Sequence, residues 1–127
     1  MNTERIIKAT ESELEILNIL WAQGPATVRA IHEKLVQTKD IGYTSTLKTM
    51  QIMLEKQLLS RDASSKTHVY TALVSQEQTQ GQIVKRMIET VFNGSAMQLV
   101  LQALGNHKTS KAELNLIKEY LDKKTKK

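Results

Sequence analysis

Along the first half of the chain, apolar residues return every three or four positions, broken by short polar segments. Leu14, Ile16, Leu17, Leu20 and Trp21 do so behind Thr10-Glu11-Ser12-Glu13. That spacing predicts a helix over about 11–22, opened by a capping box in which Glu13 returns to the cap backbone. Gly24-Pro25 ends it. Thr27 then caps a second helix with Val28, Ile31 and Leu35 on its apolar face. Lys39-Asp40-Ile41-Gly42 reads as a loop, and Tyr43 or Thr44 opens a third helix with Leu47, Met50, Met53, Leu54 and Leu58 turned inward. Here the period changes. Leu58-Leu59-Ser60-Arg61 and Thr67-His68-Val69-Tyr70-Thr71 flank a polar stretch from Asp62 to Lys66, as two short strands around a hairpin tip do.

The second half reads as helix throughout. Ser75 to Glu77 caps a long helix running to Phe92, with Ile83, Val84, Met87, Ile88 and Val91 apolar. Asn93-Gly94-Ser95 breaks it, with Gly94 free to take a positive φ. A short helix from Ala96 to Leu104 is apolar around most of its circumference, and Gly105-Asn106 is expected to stop it. Ser110-Lys111-Ala112-Glu113 is a second capping box, opening a last helix that bears Leu114, Ile117, Tyr120 and Leu121. A surface helix in so small a unit should keep a polar face. One that lacks it calls for a cover, and a second copy of the chain is the simplest. A homodimer is therefore expected, held by Ile83, Met87, Val91, Met97, Val100, Leu101, Leu104, Leu114, Ile117 and Leu121. The competing arrangement packs the short helix on the N-terminal core of its own chain.

The fold class expected is mostly α with a small β-hairpin wing. A winged helix-turn-helix DNA-binding domain over 1–73 precedes a helical dimerisation domain over 74–127. With 127 residues, the chain suits one compact domain or two very small ones. Aromatic residues are 4% of the chain, so aliphatic side chains must fill the core, and Met50, Met53, Met87 and Met97 read as filler. Trp21 closes an amphipathic helix and reads as structural.

Charge alters this picture little. The formal net charge is +5, which invites a nucleic-acid partner. Yet residues 1–73 carry nine Lys and Arg against eight Asp and Glu, and residues 74–127 nine against five. Much of the excess is the tail Lys123, Lys124, Lys126 and Lys127.

Enzyme chemistry finds no foothold. There is no Cys, hence no disulfide framework, thiol nucleophile or Cys-based zinc site. His32, His68 and His107 lie far apart without an HExxH, and no glycine-rich phosphate loop occurs. Glu13 and Glu15 do not share a helix face. No cofactor or metal is expected. The N-terminus has no apolar h-region and no apolar run is long enough to span a membrane, so no membrane insertion is expected and the location expected is the cytoplasm.

Several segments together resemble one family. They are Glu13-Leu14-Glu15-Ile16-Leu17 with Trp21, Gly24-Pro25-Ala26-Thr27-Val28-Arg29, and Gly42 through Met53 followed by Glu55-Lys56. His68-Val69-Tyr70, Glu77 with Thr79-Gln80, and Gly94-Ser95-Ala96 with Leu99 through Leu104 continue the match. Over about residues 8–121 the chain resembles the penicillinase repressor family of bacterial transcription regulators. The resemblance implies a homodimer that represses at a double-stranded DNA operator with inverted-repeat half-sites, often TACA/TGTA. In several members a membrane-bound sensor protease cleaves the repressor to relieve repression, which makes such a protease a candidate partner. Three departures stand out. Gln57 occupies the place of a usual turn glycine, where a positive φ would strain it. The lack of Cys removes the ligands of copper-responsive members. Gln102-Ala103 falls near the Asn-Phe pair cleaved in the penicillinase branch.

In a winged helix-turn-helix the third helix enters the major groove with its N-terminal part on base edges. Its polar face would be Thr44, Ser45, Lys48, Thr49 and, beside them, Gln51. Hydroxyls can bond phosphate or base edges, and Lys48 reaches phosphate or guanine. Tyr43 can pack its ring on the core while its hydroxyl meets a phosphate. Arg29, at the start of the second helix, and Lys66, at the hairpin tip, suit phosphate contacts, and Arg61 suits either phosphate or a pair with Asp62. A winged-helix protein-interaction module and a ligand-sensing regulator without proteolytic induction remain open beside the repressor.

Overall fold

The computed structural model describes residues 8–126. Lys127 of the basic tail and the first seven residues of the expected N-terminal domain lie outside the described residues. The elements follow in the order α1 Glu11–Gln23, α2 Val28–Leu35, α3 Tyr43–Glu55, β1 Leu59–Asp62, β2 Val69–Ala72, α4 Gln76–Thr90, α5 Ala96–Asn106 and α6 Lys111–Thr125.

Local chemistry sets most of the boundaries. At α1, Thr10 Oγ1 accepts the Glu13 amide at 3.2 Å, and Glu13 Oε1 accepts the Thr10 amide at 2.9 Å. Gly24, at φ 89°, turns the chain out of α1 while its N–H still donates to Leu20 O. Thr27 caps α2 by accepting the Ala30 amide at 3.1 Å. Tyr43, not Thr44, is the first residue of α3, and its cap Gly42 offers no side-chain hydrogen bond. The other end of α3 closes with two reversed hydrogen bonds, from Leu58 N to Met53 O and from Gln57 N to Leu54 O. This is the Schellman pattern, which places its turning residue in the left-handed region. That residue is Gln57, at φ 65°.

The hairpin pairs β1 and β2 antiparallel, with Leu59 opposite Ala72 and Arg61 opposite Tyr70. A feature with no sequence signal adds a third short pairing. Ala26, in the α1–α2 link, exchanges two backbone hydrogen bonds with Tyr70, at 3.0 and 2.8 Å. The wing is thereby pinned to the helices. Trp21 acts structurally, donating from Nε1 to Val74 O at 2.9 Å.

The chain divides into two compact units, one ending at Ile83 and the other starting at Val84. The first has a core drawn from α1 to β2 and the link after it: Ile16, Leu17 and Leu20 of α1, Val28, Ile31 and Leu35 of α2, Met50 and Met53 of α3, then Leu58, Leu59, Tyr70 and Val74. Burying each large apolar side chain contributes about 2 kcal/mol. Leu47, expected to turn inward, packs on this core half-buried, and Leu54 is half-buried without joining it. Polar groups are also enclosed here. Glu13 is buried and accepts from Lys56 Nζ at 2.8 Å, tying α1 to the C-terminal cap of α3. The hydroxyl of Thr79, near the start of α4, is buried without a hydrogen-bond partner among the described residues.

The second unit differs in kind. From Val84 to Lys126 no residue is buried. Met87 and Met97, expected as core filler, are 38% and 63% exposed in the single chain, because no element of their unit covers them. Gly105-Asn106 does not stop α5. The helix runs through both, and Asn106 Nδ2 donates to Gln102 O and to Gln102 Oε1, which holds the last turn. Conversely α4 ends at Thr90, two residues before Phe92. There the amides of Val91 and Phe92 both donate to Met87 O, and Asn93 and Gly94 take positive φ. Ser110 and Glu113 form the second capping box. No helix among the described residues is long and apolar enough to cross a membrane.

Candidate nucleic-acid interface

Helix α3 has two faces. Thr46, Met50 and Met53 are buried, with Leu47, Thr49 and Leu54 half-buried beside them. On the opposite side Thr44, Ser45, Lys48, Gln51, Ile52 and Glu55 are exposed, and Lys48 sits near the middle of that stripe. Of the residues expected there, Thr44, Ser45 and Lys48 point outward. Thr49 stands at the edge, and its hydroxyl donates to Ser45 O at 2.9 Å, so its hydrogen is committed to the helix itself. Ile52 and Glu55 were not expected on this face. Ile52 lies off the apolar stripe of Leu47, Met50, Met53 and Leu54, and a helical wheel of those positions reveals it.

Helix α2 meets the start of α3 through a cluster. The Arg29 guanidinium lies 4.9 Å from the centroid of the Tyr43 ring. That ring meets the His32 imidazole edge to face, with centroids 5.4 Å apart. His32 Nδ1 is in turn hydrogen-bonded to Thr46 Oγ1 at 2.9 Å. Tyr43 thus uses its ring to join α2 to α3 and remains 38% exposed. Sequence reasoning paired neither Arg29 with Tyr43 nor His32 with Thr46. The residues of each pair lie 14 apart in separate helices, outside any periodic pattern.

The wing carries two further cations. Arg61 is exposed on β1 and Lys66 is exposed at the tip. Arg61 makes no ion pair with Asp62. The Asp62 carboxylate instead accepts the Ser64 amide at 2.9 Å. That bond, then the Ser64 hydroxyl, holds its carboxyl below the usual carboxylate range; desolvation opposes them, and the nearby His68 adds a lesser lowering effect. Asp62 is therefore ionised at neutral pH, a fixed negative charge beside Arg61. Ion pairs among the described residues are Lys39–Glu15 and Lys56–Glu13. Arg29, Lys48, Arg61 and Lys66 belong to neither, although Arg29 lies over the Tyr43 ring. No group of His, Asp or Glu among the described residues is placed to hold a metal ion.

The residues expected to bridge two copies lie in the α4 to α6 region. Met87, Val91, Met97, Val100, Leu101, Leu104, Leu114 and Leu121 are exposed, while Ile83 and Ile117 are half-buried. Leu116 and Tyr120 of α6 are also exposed, at 64% and 61%. An open groove of about 620 Å³ runs between α5 and α6, lined by Ala103, Leu104, His107, Thr109, Glu113, Leu116 and Ile117.

Three helices, the third with an outward polar face, and a hairpin wing define a winged helix-turn-helix protein. The family model described as Penicillinase repressor matches residues 9–123, and the chain belongs to that family. The family is one of repressors, not of enzymes. The methicillin resistance regulatory protein MecI of Staphylococcus aureus strain N315 is 27% identical over 116 residues, covering 91% of this chain and 94% of its own. The penicillinase repressor of Staphylococcus aureus is 19% identical over 122 residues, covering 95% and 96%. Among solved structures, Lactococcus lactis ZitR aligns over 98% of this chain and 79% of its own, at 20% identity and a TM-score of 0.47.

Proposed function

We propose that this protein is a sequence-specific transcription repressor that binds an inverted-repeat DNA operator as a homodimer in the cytoplasm. Residues 1–73 read the DNA and residues 74–127 hold the two copies together. Helix α3 enters the major groove, with Thr44, Ser45 and Lys48 at base edges and Thr49 at the margin. Arg29 and Tyr43 meet the phosphate backbone at the start of α3, and Arg61 and Lys66 of the wing meet it on the other side. The observation that carries this reading is the outward face of α3, a stripe of hydroxyls around Lys48, with Lys48 and the exposed wing residues Arg61 and Lys66 in neither ion pair of the described residues. Donors of this kind position a protein on phosphate and read bases in the major groove.

The homodimer is supported by the second unit, where large apolar side chains stay exposed and no residue from Val84 to Lys126 is buried. A surface of that kind marks an interaction site. Relief of repression by a membrane sensor protease would require cutting near Gln102-Ala103. Both residues lie inside α5, in a sequence unlike the pair cut in the penicillinase branch.

The test is a titration of the protein against its own upstream promoter DNA and a scrambled duplex at two salt concentrations. Tight binding to the promoter alone, falling steeply with salt, is expected. Thr44→Ala with Lys48→Ala should abolish the preference for the promoter while the dimer persists. Lys66→Ala should weaken binding to both duplexes alike and reduce the salt slope by about 1. Equal binding of promoter and scrambled DNA by the unaltered protein would favour a protein-interaction module instead.

A further inference from the structure

We infer that Ile52 reads the C5-methyl group of a thymine in the major groove and so sets part of this protein's sequence preference. This rests on the reading of α3 as the groove-entering helix. Ile52 is 40% exposed, whereas the other large aliphatic residues of α3 are buried or half-buried. It follows Lys48 by one helical turn and Ser45 by two, so it shares their outward stripe. Its remaining neighbours there, Thr44, Gln51 and Glu55, are polar.

The chemistry narrows what Ile52 can meet. A sec-butyl side chain offers neither donor nor acceptor, so pressing it onto a phosphate or a base-edge amide would strip water from that group without a replacement bond. Among the groups of the major groove, the thymine methyl is the apolar one. A β-branched side chain in a helix holds one χ1 rotamer, so Ile52 presents a fixed apolar surface rather than an adaptable one. A protein partner would need more: one aliphatic side chain ringed by polar residues falls short of the contiguous patch that marks a protein interface.

The experiment uses the full-length protein and a duplex that it enriches from a random DNA library. Each thymine of the enriched site is replaced in turn by deoxyuridine, which removes only the methyl group. At one thymine of each half-site the unaltered protein should lose about fourfold in affinity, the worth of one buried methyl group. Ile52→Ala should bind the same duplex more weakly and no longer distinguish thymine from deoxyuridine there. Ile52→Val, one methylene smaller, should fall between. If every deoxyuridine weakens the protein and Ile52→Ala by the same factor, the inference is wrong while DNA reading by α3 stands. If no duplex is enriched, the DNA-binding reading fails and takes this inference with it.

Discussion

At Gln57 a single side chain sits in a conformation its chemistry disfavours. The Schellman closure of α3 needs a left-handed residue, and Gln57 supplies it at φ 65°. A non-glycine residue there gives up about 1–2 kcal/mol to the contact between Cβ and carbonyl. Glycine would remove that contact but would lose more backbone freedom on folding, worth about 0.5–1 kcal/mol. The backbone balance favours glycine, and Gln57→Gly should exceed Gln57→Ala in unfolding free energy by about 0.5 kcal/mol in urea titration, both variants lacking the glutamine side chain. Gln57→Val should lower it, because branching at Cβ worsens the same contact. A lower stability for the glycine variant than for the alanine one would mean that lost backbone freedom outweighs the strain. The departure was legible through the family resemblance, which puts a turn glycine at this position; nothing in the local sequence around Gln57 marks it as left-handed.

At the scale of elements, the join between α2 and α3 decides how the outward face of α3 is presented. His32 and Thr46 make that join inside the fold, with Thr46 fully buried and its hydroxyl 2.9 Å from Nδ1. His32→Leu would leave the hydroxyl buried with no partner, at a cost of about 1–3 kcal/mol. Thr46→Val removes both the hydroxyl and its need of a bond. The double variant should therefore be more stable than the sum of the single losses implies, by about 1 kcal/mol in denaturant unfolding. Strict additivity would mean that the two groups do not depend on each other. This pair also marks where legibility ends. Both capping boxes and the Thr27 cap were readable because each lies within four residues. His32 with Thr46, Glu13 with Lys56 and Ala26 with Tyr70 join distant segments, and no window of the sequence contains both partners. Gly105-Asn106 misled for a different reason. Helix-interior glycine costs about 1 kcal/mol relative to alanine, a weak signal that the Asn106 side-chain bonds to Gln102 override.

On the scale of the whole molecule, periodicity identified apolar faces in α4 to α6 but could not say what covers them, and the single chain leaves them open. Met97 and Leu101 lie one turn apart on α5, 63% and 57% exposed. In an isolated chain a charge at either position would stay in water, so Met97→Asp with Leu101→Asp should scarcely alter the stability of the first unit. In a homodimer built on this surface the same charges would be buried without partners, a large penalty. The double variant should therefore sediment at the mass of one chain where the unaltered protein sediments at two. Each half-site would then be held by a separate copy, and the gain from linking two reading units would be lost. Operator affinity should fall by about a hundredfold or more, while binding to a single half-site stays the same. A variant that remained dimeric would place the interface elsewhere. One that became monomeric yet kept full operator affinity would separate assembly from DNA reading in this repressor.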